Sequence, residues 1–151
     1  RNANLIVSNI GRDAIDELKQ DKISFIESDI DTIFEKECDI ISPCALGGAV
    51  NSEVKKKLKC KAIVGAANNQ LDKPETAVWL KENNIFYAPD YLVNSGGVIA
   101  ISCEINNSED RLNDQLNKIS DKILSLLKES QKSSLSTDKI TEYLAWKRIN
   151  S

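Results

Sequence analysis

The stretch from Cys38 to Asn69 constrains the fold most. It holds two short apolar runs, Asp39-Ile40-Ile41 and Ala62-Ile63-Val64, and each stops abruptly in small residues and amides. The first ends in Ser42-Pro43-Cys44-Ala45-Leu46-Gly47-Gly48, the second in Gly65-Ala66-Ala67-Asn68-Asn69-Gln70. In an open parallel sheet, ligands bind just beyond the carboxyl ends of the strands. Small side chains there let a flat ligand approach the backbone, and asparagine both donates and accepts at a ribose or an amide. The pattern is that of a cofactor-binding architecture.

The flanking segments extend it. Leu5-Ile6-Val7 reads as a buried strand ending in the turn Ser8-Asn9-Ile10-Gly11, and Asp13 to Gln20 follows with Ala14, Ile15 and Leu18 at helical spacing. An extended piece over Lys22 to Ile26 comes next. Asp29 or Asp31 is expected to cap a brief helix over Thr32 to Glu35, and Ser52 a helix through Leu58. Pro74 suits the first turn of a helix running to Asn83, where its missing N–H is not needed. Ile85 to Ala88 is a further strand, stopped by Pro89. Strands alternating with helices at this spacing imply parallel βαβ units, with right-handed crossovers placing helices on both faces. The expected class is α/β, a Rossmann-like, doubly wound, mostly parallel sheet that lacks its start and carries carboxy-terminal helices.

After Gly96-Gly97 the pattern is helical only. Leu112, Leu116, Ile119, Ile123 and Leu126 form one apolar stripe; Lys132 to Ser136 is a polar break; and Thr137, with Glu142 nearby, opens a last helix bearing Ile140, Tyr143, Leu144 and Ile149. Residues 1–106 are thus expected to form an incomplete dinucleotide-binding domain. Residues 107–151 are expected to be helices packing on that domain or on an amino-terminal domain outside this segment.

Composition narrows the function. The chain has 151 residues and a formal net charge of −3, with no basic stripe for nucleic acid or anionic membrane and no run long enough to span a bilayer. It has no Met and opens at Arg1, so a piece of a longer protein is expected. It has no His, so Ser-His-Asp triads, Cys-His pairs and His-bearing metal sites cannot be assembled from these residues alone. Cys38, Cys44, Cys60 and Cys103 include no C-x-x-C pair, and they read as reduced cytoplasmic thiols packed as small apolar groups, with no metal.

A dinucleotide fold normally begins with a strand, G-x-G-x-x-G and a helix, then an acidic residue at the end of the second strand. No G-x-G-x-x-G occurs here. Leu5 to Asn9 sits where that second strand belongs, which puts the phosphate loop upstream of Arg1 and Asn9 in the place of the ribose-binding acid. The Asn9 amide can still bond a ribose hydroxyl, but it no longer repels a 2′-phosphate, and Arg12 could attract one. An ordinary turn residue is the plainer reading of Asn9. The most specific segment is Tyr87-Ala-Pro-Asp-Tyr-Leu-Val-Asn94-Ser-Gly-Gly, where an Asn and two glycines open a helix, offering free N–H groups and an amide able to reach a carboxamide.

Asp39-Ile-Ile-Ser-Pro-Cys-Ala-Leu-Gly, Gly65-Ala-Ala-Asn-Asn-Gln-Leu and Tyr87-Ala-Pro-Asp-Tyr-Leu-Val-Asn-Ser-Gly-Gly-Val-Ile together resemble the glutamate, leucine, phenylalanine and valine dehydrogenase family, most closely its leucine and phenylalanine branch. The resemblance covers Leu5 to about Glu104 well. It implies a two-domain enzyme that oxidatively deaminates an L-amino acid to a 2-oxo acid and ammonia with NAD, NADP being possible, and that assembles from identical subunits. It also implies that the catalytic lysines and aspartate belong to an amino-terminal domain, so that no catalytic residue lies in this segment. By motif position, Cys44 and Ala45 would lie along the adenosine half of the cofactor. Ala67, Asn68 and Asn69 would flank the nicotinamide ribose, Asn94 would bond the carboxamide, and Val98 and Ile101 would face the substrate side chain.

Three departures stand out: Asn9 for the usual acid, Ser95 for the usual Ala before the glycines, and Ser102-Cys103-Glu104 for Ala-Asp-Glu. They leave open a rival reading, a non-catalytic dinucleotide-binding or regulatory module of the same fold. Because no Lys or Arg lies between Lys81 and Arg111, the expected substrate is an apolar, leucine-like amino acid rather than glutamate.

Overall fold

In the computed structural model, which describes residues 3–151, every strand is brief and every pairing is parallel. The strands are β1 (Ile6–Val7), β2 (Ile26–Glu27), β3 (Ile40–Ile41), β4 (Ala62–Ile63) and β5 (Phe86–Tyr87). The α-helices are α1 (Arg12–Gln20), α2 (Pro74–Glu82), α3 (Asp90–Val93), α4 (Gly96–Ile105), α5 (Leu112–Lys132) and α6 (Thr137–Ile149). Short 3-10 turns occupy Ile33–Glu35, Val54–Lys57 and Glu109–Arg111.

The strands form two ladders rather than one sheet. One joins β1 to β2, and the other has the order β3-β4-β5. A dinucleotide-binding sheet has the order 3-2-1-4-5-6. The β2-β1 pair matches its 3-2 edge and the β3-β4-β5 ladder its 4-5-6 edge. Among the described residues no strand pairing joins the two ladders. Ile40, on β3 at the edge of its ladder, is 58% exposed.

The core lies under the three-stranded ladder, where Val50, Ile63, Leu80 and Tyr87 pack with Cys60, Ala77 and Ile85. The α2 helix closes it from one side: Pro74 occupies its first turn and Thr76, Ala77 and Leu80 are buried. The carboxy-terminal helices pack on this unit. The α5 helix lies against α3 and α4, and α6 against α5 and α2. Lys81 donates to the Ser130 carbonyl, and Tyr91 to that of Asp138 at 3.3 Å. On α6, Ile140 is buried, whereas Tyr143, Leu144, Trp146 and Ile149 face solvent.

Several local expectations are corrected. Ser52 does not cap the turn at Val54–Lys57. Asn51 does, its Oδ1 accepting the amides of Glu53 and Val54 at 3.0 Å, while the Ser52 hydroxyl reaches Asp72 at 3.2 Å. Neither Asp29 nor Asp31 caps the turn at Ile33–Glu35 through its side chain. The Asp29 backbone carbonyl accepts the Thr32 and Ile33 amides instead. The extended piece after Gln20 starts later than expected, because Lys22 adopts φ +57 and turns the chain first. Thr137 opens α6 as expected, with Ser136 in its cap position and Glu142 paired with Lys139 at 2.8 Å.

Candidate functional site

The loops after β3, β4 and β5 meet at the carboxyl ends of their strands. The first two are locked at Pro43, whose carbonyl accepts the Ala67 amide at 2.9 Å. A Cβ on Gly65 would lie 2.2 Å from that carbonyl oxygen, so close backbone approach demands glycine there. The Gly48 amide then donates to the Asn69 carbonyl at 2.7 Å. Gln70, fully buried, holds the second loop from within, its amide donating to the Gly65 and Ala67 carbonyls at 2.7 and 2.9 Å.

Asn94 ties in the third loop. Its Nδ2 shares two hydrogens among three acceptors, the carbonyls of Ala66 at 2.7 Å and Ala67 at 3.0 Å and Asn68 Oδ1 at 3.1 Å. Backbone carbonyls only accept, so the amide orientation is fixed by chemistry. That orientation turns Asn94 Oδ1 away from the loop as an acceptor. Because Asn68 spends its oxygen on Asn94, its own Nδ2 remains as a donor. One acceptor and one donor, on adjacent half-exposed and exposed side chains, are the complement of a primary carboxamide.

Asp90 is a residue that sequence reasoning missed. Its Oδ2 accepts the Asn69 amide at 2.7 Å, and its Oδ1 accepts the Tyr87 hydroxyl at 2.9 Å. Asn69 sits at φ +52, a left-handed conformation that asparagine tolerates. A structural duty therefore accounts for this Asn, and Asp90 fixes it. Burial is the main cause that holds the Tyr87 phenol protonated well beyond its ordinary range. The signal was present in Tyr87-Ala-Pro-Asp90, since an acid just after a strand and a proline can reach backwards to a loop amide.

The remaining candidates fall in three places. Cys44 and Ala45 are exposed in the first loop, with Ser42 Oγ 3.3 Å from Cys44 Sγ, whereas the Ala67 side chain is buried. Asn9 follows β1 in the other ladder, and its Nδ2 closes its own turn on the Gly11 carbonyl at 2.8 Å. Arg12 pairs with Glu27 at 3.2 Å. Val98 and Ile101 are 71% and 58% exposed on α4.

One expectation about charge fails in three dimensions. Arg111 is distant from Val98 in sequence, but both line a cavity of about 340 Å³ between α4 and the start of α5, together with Ser102, Cys103 and Gln115. Ile101 does not line it. The stretch from Lys81 to Arg111 is free of cations in sequence, but Val98 has one nearby in space.

Known proteins fit this geometry. The profile of the Glutamate/Leucine/Phenylalanine/Valine dehydrogenase family matches residues 3–146. Leucine dehydrogenase of Thermoactinomyces intermedius is 38% identical over 149 residues, which cover 97% of this chain and 39% of that protein. Phenylalanine dehydrogenase of the same organism is 35% identical over 130 residues, 85% of this chain and 35% of that protein. The crystal structure of L-tryptophan dehydrogenase from Nostoc punctiforme superimposes with a TM-score of 0.91 at 32% identity, covering 97% of this chain and 44% of that one. The chain thus spans less than half the length of the relatives it matches. With a Rossmann-like arrangement of parallel strands, the three loop motifs in order and a profile match over nearly its whole length, the chain belongs to the glutamate, leucine, phenylalanine and valine dehydrogenase family.

Proposed function

We propose that this chain is the nicotinamide-dinucleotide-binding part of an amino acid dehydrogenase, which oxidatively deaminates an apolar, leucine-like L-amino acid to a 2-oxo acid and ammonia. The observation that carries the reading is the amide pair at the strand ends, whose mutual bond leaves an acceptor on Asn94 and a donor on Asn68. This donor set fits the carboxamide of a nicotinamide. When bound, the cofactor would supply the acceptor for a hydride from the substrate's α-carbon.

The chain's own residues bind and orient. Asn94 and Asn68 would fix the plane of the carboxamide, so that one face of the ring meets the substrate. Cys44 and Ala45 would lie along the adenosine half, and Ala67 and Asn69 would shape the floor beneath the nicotinamide ribose. Asn9 would accept a ribose hydroxyl through the Oδ1 that its turn bond leaves free. Glu27 already partners Arg12 at 3.2 Å, which weighs against that guanidinium holding a 2′-phosphate and so favours NAD over NADP. The exposed Val98 and Ile101 on α4 would meet the substrate side chain once the cleft closes, and closure supplies the positioning that hydride transfer requires.

An upstream strand with its phosphate loop would fill the position between β1 and β3, and the acids and bases would come from an amino-terminal domain. Residues 1–106 then form the cofactor domain. Residues 107–151 brace it, and the exposed Tyr143, Trp146 and Ile149 face the rest of the protein. The test is titration of the intact protein with NAD and NADP, followed by kcat/KM for leucine, valine, phenylalanine, tryptophan and glutamate. Tight NAD binding with turnover of apolar substrates supports the reading. Preference for glutamate removes the pocket assignment, and cofactor binding without turnover of any of them favours a non-catalytic module, the reading to which Asn9, Ser102 and Cys103 lend weight.

A further inference from the structure

The amino ends of β3 and β4, opposite the loops of the site, bring two cysteines side by side. Parallel pairing joins Glu37 to Lys59, Ile40 to Ala62 and Ile41 to Ile63. These pairs share one offset, so the intervening rungs set Asp39 beside Lys61 and Cys38 beside Cys60. The side chains bear this out at the first of those rungs, where Lys61 Nζ lies 2.7 Å from Asp39 Oδ1. At the second, the Cys38 amide donates to the Lys59 carbonyl at 3.3 Å.

Both chains bend at Asp39 and Lys61, just before β3 and β4, so burial rather than strand alternation assigns the faces there. Asp39 and Lys61 take the solvent face, with side chains 80% and 83% exposed. Cys38 and Cys60 instead turn toward the core, as their burial shows. Cys60 belongs to the core cluster at 9% exposure, and Cys38, half-buried, packs against it. Neighbouring strands run about 4.8 Å apart, inside the Cα separation of about 4.4–6.8 Å that a disulfide can bridge.

We propose that Cys38 and Cys60 form a redox-responsive pair that a low-molecular-weight disulfide converts to an intrachain cystine. Cys38, the more accessible thiol, is the point of attack. Its thiolate displaces one half of the reagent disulfide, forming a mixed disulfide on Cys38 and releasing one thiol. The Cys60 thiolate then attacks the Cys38 sulfur, the protein S–S bond forms and the second thiol leaves. Two electrons and the two protons of the protein thiols pass to the reagent, which ends as two thiols. Burial pushes the Cys60 thiol up to about 11, with Cys38 a lesser cause, so the second step is slow near neutrality and faster in mild alkali. The bond would staple β3 to β4 and close the crossover that carries the Ser42 to Gly48 loop, removing freedom from the unfolded chain.

The experiment treats the intact protein with oxidised glutathione at mildly alkaline pH, alkylates the remaining thiols and digests with trypsin without reduction. The expected product is the Cys60-Lys61 peptide joined to the Glu37–Lys55 peptide, which also carries Cys44 as its alkyl or glutathione adduct; apart from that adduct it is lighter than the two thiol peptides by two hydrogens, fragmentation places the link on Cys38, and dithiothreitol releases it. The oxidised protein should also unfold at a higher temperature than the reduced one, a rise that reductant reverses and that Cys38→Ala abolishes. Exposed Cys44 serves as the internal control of reagent strength. Recovery of Cys60 as an alkylated thiol while Cys44 carries glutathione would overturn the proposal. Separate glutathione adducts on Cys38 and Cys60, or a link from Cys60 to Cys44, would do the same.

Discussion

Asn94 Nδ2 stands 3.1 Å from Asn68 Oδ1, joining the loops after β5 and β4 across 26 residues of sequence. The contact decides which face each amide presents outward. Replacing Asn94 by Ala removes its acceptor and unties the loop, so the Kd for NAD should rise by about 5- to 150-fold, equivalent to ~1–3 kcal/mol. Asn94→Asp should be at least as damaging, because a carboxylate would face the carbonyl oxygens of Ala66 and Ala67. Calorimetric titration of the intact protein checks both. Unchanged affinity in the two variants would leave the carboxamide assignment without support.

Asp90 and Tyr87 support the same loops from beneath. Tyr87 is 3% exposed, and its hydroxyl both donates to Asp90 Oδ1 and accepts the Asp90 amide at 3.3 Å. Tyr87→Phe keeps the ring and leaves a carboxylate short of one partner. It should cost about 1.5–3 kcal/mol of stability, the range for hydrogen bonds to a charged group. The readout is the midpoint of urea unfolding at constant m-value. A loss well below that range would mean that water replaces the hydroxyl without penalty.

Alkaline pH should destabilise the fold through Cys60. Burial is the largest cause that raises this thiol from 9.0 to about 11 in the folded state. Its contribution is therefore complete below about pH 9 and lost as pH rises toward 11, because the unfolded chain ionises first. Cys60→Ala should flatten the fall of stability over that window under reducing conditions, whatever it costs at neutral pH. Stability measured by urea unfolding at several pH values checks this, and an unaltered slope would assign the alkaline loss to other groups.

Much of the core fold was legible because its signals are local. Ile40-Ile41, Ala62-Ile63 and Phe86-Tyr87 are apolar runs bounded by loop residues, and Pro74 marks the start of α2 where its ring is tolerated. What escaped depends on distance. Asn51 rather than Ser52 caps its turn because the Ser52 hydroxyl is drawn to Asp72, 20 residues on. Gln70 and Asp90 looked like ordinary loop residues, yet both hold backbone groups of the site loops, since partners in space leave no spacing in sequence. Arg111 beside Val98 escaped for the same reason.

Cofactor choice should respond to position 9. The Asn9 side chain closes its turn by donating from Nδ2 to the Gly11 carbonyl; an Asp there gives up that bond but keeps an acceptor and adds a charge. That charge repels a 2′-phosphate and strengthens a bond to the ribose hydroxyl. Asn9→Asp should therefore raise the ratio of kcat/KM for NAD over NADP by about 5- to 150-fold, or ~1–3 kcal/mol. An unchanged ratio would mean that Asn9 does not touch the ribose.

Substrate choice should respond to the exposed side of α4. Val98 and Ile101 are three residues apart and present branched, apolar surface, with Ile101 outside the cavity that Arg111 lines. Arg111 lines that cavity and not the Ile101 side, and a carboxylate resting on Ile101 without a cation partner would lose its hydration uncompensated. The bulk of Ile101 favours a branched aliphatic substrate over an aromatic one. Ile101→Ala should therefore shift the kcat/KM ratio toward phenylalanine and cost leucine about 1–3 kcal/mol of contact. Arg111→Ala supplies the contrast. If side chains rest on Ile101, it should leave the leucine-to-phenylalanine ratio unchanged, whereas a substrate reaching into the cavity between α4 and α5 would respond to the loss of its cation. Loss of glutamate turnover in Arg111→Ala, with Ile101→Ala silent, would move the pocket from the exposed side of α4 into that cavity.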